Sequence, residues 1–136
     1  APVVAGPALD SRALEVAVAY AQLGRAAPAR ALVDRWAARA SADERLVRWN
    51  HLQAARGEIA LAEGRTADAV AAFRAAAEAD SGHLEEVYTG ATHLRLARAF
   101  DRAGQRDSAL ARFTAYVDRR DLTSYRDAPL ALPIAL

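Results

Sequence analysis

Three glycines constrain this 136-residue chain more than any other feature: Gly24, Gly64 and Gly104 stand at successive intervals of 40 residues. Their surroundings repeat in register. Five residues after each comes a small side chain (Ala29, Ala69, Ala109), and nine after each a bulky one (Val33, Phe73, Phe113). Four residues before stand Tyr20, Ala60 and Phe100, and seven before stand Ala17, Gly57 and Ala97. Self-similarity at a fixed period of this length marks a stack of like units. Glycine can adopt the left-handed conformation that ends a helix, so each of the three marks the reversal of a helical hairpin. Small residues at helical spacing let two backbones approach, and the large residue nine positions on fills the groove between units. One hairpin cannot bury its apolar face alone, whereas stacked neighbours can.

Local signals agree with that frame. Asp10 or Ser11 is suited to cap a first helix, Ser41 with Glu44 has capping-box spacing, and Ser81 is placed to open a fifth helix. Pro28 suits the first turn of a second helix. The pattern predicts helices near 11–23, 28–39, 43–63, 67–79, 83–103 and 107–119, and no strand.

Tyr20, Leu23-Gly24, Ala29, Val33 and Trp36 together resemble the hairpin signature of the tetratricopeptide repeat. Gly57, Ala60, Gly64, Ala69, Phe73 and Ala76 form a second copy, and Ala97, Phe100, Gly104, Ala109, Phe113 and Tyr116 a third. The resemblance covers residues from about 10 to 119. It implies an all-α, right-handed helical-hairpin solenoid of six main helices. The whole chain, 1–136, is then one domain with repeats at about 10–40, 41–80 and 81–120. The stretch 121–136 runs through Asp127-Ala128-Pro129 into Leu130, Leu132, Ile134 and Leu136. It reads either as the opening turn of a fourth repeat or as a tail folded back on the last hairpin. The period exceeds the family's roughly 34 residues, because the first helices of the second and third copies are longer, and this allows a distorted superhelix.

Composition narrows function. Hydrophobic residues make up 53% of the chain but aromatics only 7%, so its helices must pack through closely approaching alanines, which are also the best helix formers. Eighteen basic residues against 17 acidic ones leave a net charge of +1, too little to steer the chain toward nucleic acid or anionic lipid. Every basic residue is arginine, which with the alanine excess points to a high-GC bacterial genome. The absence of cysteine removes disulfides, thiolate catalysis and cysteine-ligated zinc, and leaves bacterial cytoplasm and periplasm both open. No apolar run approaches the ~18 residues of a membrane span, and no signal segment opens the chain.

Catalytic and metal chemistry find no constellation. His51, His83 and His93 include no pair at metal-ligand helical spacing. Each of the three turn glycines is solitary rather than part of a phosphate-cradling loop. Asp43 with Glu44 and Glu85 with Glu86 are adjacent carboxylates near helix starts, where they favour the macrodipole. No nucleophile has a base beside it. Neither an enzyme nor a cofactor or metal site is therefore expected.

What is expected is a binding face. In such a stack the first helix of each hairpin lines the concave groove. Arg95, Arg98 and Arg102 share one stripe of the fifth helix, and guanidinium groups suit carboxylates. Glu58 and His51 lie on the matching stripe of the third helix, while Trp49 and Tyr88, early on the two long helices, are candidate anchors for a partner. The competing reading is that Arg98 and Glu58, 40 residues apart, pair across the interface between repeats. Trp36, at helical spacing from Val33, is expected to be core. The leading expectation is a scaffold holding a peptide, a helix or a partner subunit, with acidic groups favoured. The alternative is an accessory subunit that stabilises a larger assembly through its apolar tail and convex face. Nucleic-acid binding is not expected, because acids match bases and no aromatic-interleaved basic stripe occurs.

Overall fold

The computed structural model describes residues 12–80 and 85–119, with backbone alone for 78–80, 85–90 and 119. These residues form seven helices and no strand: α1 (Ala13–Gln22), α2 (Ala26–Arg39), α3 (Ala42–Val47), α4 (Trp49–Ala62), α5 (Thr66–Asp80), α6 (Glu85–Arg102) and α7 (Arg106–Arg119). The expected caps at Asp10 or Ser11 and at Ser81, together with His83 and the stretch 121–136, lie outside the described residues.

Three turns of one kind join α1 to α2, α4 to α5 and α6 to α7. Gly24, Gly64 and Gly104 have φ of 77°, 77° and 75°, a region that only glycine enters without strain. At each turn the glycine N–H donates three residues back, and the following N–H donates five back, to the carbonyls of Tyr20, Ala60 and Phe100 at 2.8, 2.8 and 2.9 Å. This paired pattern closes the orphan carbonyls of a helix end, and the reversal follows from it. In the first turn the Arg25 guanidinium also lies over the Tyr20 ring, 5.4 Å from its centroid.

The helices joined by these turns pack against each other, and adjoining hairpins meet through α4 on α1 and α2 and through α6 on α5. Two buried clusters result. Leu14, Ala17, Ala21 and Val33 of the first hairpin close on Leu52, Ala55 and Ile59 of α4. Ala60 and Leu61 of α4, with Phe73, Leu96, Ala99 and Phe100, form the second. Trp36 is half-buried against the first cluster. The small–large pairing is tightest in the second hairpin: a Cβ added to Gly57 would sit 2.4 Å from the Phe73 ring.

One expectation needs correction. In place of a single helix over 43–63, the chain breaks at Arg48 (φ −101°, ψ 14°), so the described residues hold seven helices instead of six. The cause is packing. α3 buries none of its residues and is held by the anticipated Ser41–Glu44 capping box and by Arg45 donating to the Ala37 carbonyl. Arg48 is drawn instead to Glu15 of α1, and nothing forces α3 to stay coaxial with α4. Leu46, Val47 and Trp49 are left exposed around the break.

Candidate interaction surfaces

The first helices of the three hairpins meet through a polar chain. Glu58 of α4 is only 1% exposed. Its Oε1 accepts from Arg98 Nη1 of α6 at 3.0 Å and from Gln22 Nε2 of α1 at 3.3 Å. Burying a carboxylate is costly unless it is both paired and hydrogen-bonded, and Glu58 is both. The cross-hairpin ion pair weighed from the sequence is therefore formed.

Pairing changes what that stripe can offer. Arg102 Nη1 donates to the Leu61 carbonyl at 3.3 Å, so two of the three arginines on α6 are turned back toward α4. Arg95 is half-buried and makes no ion pair among the described residues. His51 is half-buried, with Nδ1 2.8 Å from Asn50 Oδ1. Trp49 is exposed beside the Arg48 break, and the side chain of Tyr88 lies outside the described set. The structure thus turns both Arg98 and Arg102 toward α4, where Arg98 meets Glu58, and leaves Arg95 outside that pairing among the described residues.

A recess of about 470 Å³ opens elsewhere, between α2 and α5 and over α4. Arg30, Val33, Asp34 and Ala37 of α2 form one wall; Asp68, Ala71 and Ala72 of α5, with Arg65 before it, form the other; Gln53, Arg56, Ile59 and Ala60 of α4 form the floor. Arg56 and Ala60 each stand two positions from Glu58, about 200° around the helix. The recess and the buried carboxylate therefore occupy different sides of α4.

Electrostatics at the recess rim are partly self-satisfied. Glu63 accepts from Arg30 and also meets Arg65 at 3.5 Å, while Arg65 pairs with Asp68 at 2.7 Å. The Arg30 hydrogen bond holds the Glu63 carboxyl below its ordinary 4.5, and the Asp68 hydrogen bond followed by that of Glu63 raises Arg65. Sequence reasoning did not find this recess, because its residues carry no motif. The one signal in the sequence was Arg56 set between Ala54-Ala55 and Gly57. Among the described residues no group of three His, Asp or Glu side chains is placed to hold a metal, and no helix is long and apolar enough to cross a membrane.

No family model matches the chain, and neither a curated protein nor a solved structure matches it.

Proposed function

We propose that the chain is a protein-interaction scaffold of the tetratricopeptide kind, a right-handed stack of helical hairpins that holds a peptide, a helix or a partner subunit. The observation that carries the reading is the threefold recurrence of one turn, with left-handed Gly24, Gly64 and Gly104 at 40-residue spacing and matched packing positions on either side. Such repetition extends a surface unit by unit instead of enclosing a reaction centre, and extended surfaces serve recognition. On the first-helix face, Arg95 is the one of the three α6 arginines with neither an ion pair nor a hydrogen bond among the described residues, and it favours an acidic partner.

Affinity capture with the intact chain and with Arg95→Glu tests this. A defined partner retained by the first and lost by the second, with both equally helical, supports the first-helix face. Identical capture by both ends that assignment. A second reading, the accessory subunit, is favoured by α7, where Leu110 and Val117 lie seven positions apart on one stripe and are 65% and 41% exposed. A partner that survives Arg95→Glu but is lost on Leu110→Asp identifies that face instead.

A further inference from the structure

We propose that the recess between α2 and α5 is a binding site for a short zwitterionic peptide. Its lining leaves one cation and one anion uncommitted. Arg30 is tied to Glu63, and Arg65 to Glu63 and Asp68. Arg56 and Asp34 line the same space with no ion pair or hydrogen bond among the described residues. A ligand with a single charge satisfies one of these groups and leaves its effect on the other unfavourable or nil. A dipolar ligand gains at both, placing its carboxylate on the Arg56 guanidinium and its ammonium on the Asp34 carboxylate.

A third group identifies what lies between those charges. Gln53 is 8% exposed and lines the recess, yet its amide makes no hydrogen bond among the described residues. The residue is mostly buried but its amide reaches solvent through the recess, and a carboxamide so placed, with no bond inside the protein, is open to a ligand. A carboxamide carries both a donor and an acceptor, the complement of a peptide group. The alanines around it, Ala37, Ala60 and Ala72, put nothing beyond Cβ in the way of a main chain. At about 470 Å³ the recess falls within the ~300–1,000 Å³ typical of small-ligand sites. The site lies away from Arg95 and Glu58 and stands independently of the first-helix reading.

An NMR titration of the intact chain decides the matter, using trialanine with free termini, the same peptide acetylated and amidated, and free alanine. The signals to follow are the Arg56 Nε–H and the Gln53 side-chain amide. Trialanine is expected to shift both saturably with a Kd of ~1 mM or tighter, and the blocked peptide to bind roughly tenfold more weakly. Arg56→Gln and Asp34→Asn, both at exposed positions, should each weaken trialanine by roughly tenfold without lowering the melting temperature. Gln53→Leu should do the same while keeping the apolar volume. Absence of a saturable shift, equal binding of the blocked peptide, or binding of free alanine as tight as trialanine overturns the proposal. Capture lost on Arg95→Glu reports on the other face, so the two readings fail separately.

Discussion

At Glu58 and Arg98 the two halves of one ion pair differ in burial, and so do the consequences of removing them. Arg98→Ala strands a carboxylate that is 1% exposed, a loss of about 3–5 kcal/mol for a buried pair broken on one side. Glu58→Gln keeps an acceptor for both Arg98 and Gln22, and its cost should be well below that of Arg98→Ala. Urea unfolding of the two variants at neutral pH checks this, and equal small losses would show that the carboxylate finds water on the native side. A second residue-scale prediction concerns Glu44. The bond donated by the Ser41 N–H, and next the nearby Ser41 hydroxyl, hold the carboxyl below its ordinary 4.5. A depressed folded value contributes stability above the unfolded value and loses it as pH falls through the folded one. The melting temperature of Glu44→Gln should therefore lie below that of the parent at about pH 7 and converge with it as the pH falls through the folded value. A gap that persists in acid would mean that the effect is not the carboxylate's charge.

Glycines at the turns and within the helices behave differently under the same substitution. Gly64 has φ 77° with open space around a would-be Cβ, so Gly64→Ala meets backbone strain alone, roughly 1–2 kcal/mol. Gly57 is helical, and Gly57→Ala gains about 1 kcal/mol of helix propensity, but its Cβ would enter the Phe73 ring at 2.4 Å. Phe73 is buried, which leaves its ring little space to yield, and overpacking of this kind costs about 1–3 kcal/mol. The clash should win, and Phe73→Leu in the same chain should recover part of the loss; a Gly57→Ala variant more stable than the parent would show that the ring moves freely. The turn glycines and the Ser41 cap were legible in the sequence because each acts through its own backbone and immediate neighbours. The break at Arg48 was not, since residues 42–56 contain neither glycine nor proline and the interruption reflects what α3 fails to bury. The recess was equally hidden. Which face stays open depends on how hairpins are staggered: across the hairpin boundaries α4 packs more on α1 than on α2, whereas α6 packs on α5, a difference that the identical 40-residue spacing conceals.

Among the described residues, packing is divided between two buried clusters that share only α4, which supplies Leu52, Ala55 and Ile59 to one and Ala60 and Leu61 to the other. Elements that contact mainly their neighbours can open in part without opening in full. Leu52→Ala, at a buried position of the first cluster, removes ~2–5 kcal/mol of packing. It should speed native-state hydrogen exchange in α1 and α2 while α6 and α7 keep their protection. Leu96→Ala, in the second cluster, should do the reverse. The ends are unlike as well: the exposed positions Glu15, Ala19 and Gln22 of α1 are polar or small, and Glu15 and Gln22 bond to the next hairpin, whereas α7 presents Leu110 and Val117. Loss of protection should therefore remain confined to the hairpin next to each substitution, because Glu58 bridges the hairpins through α4 without merging their cores. If either variant accelerated exchange evenly from α1 to α7, the two clusters would form one cooperative unit, and the division inferred from their packing would be wrong.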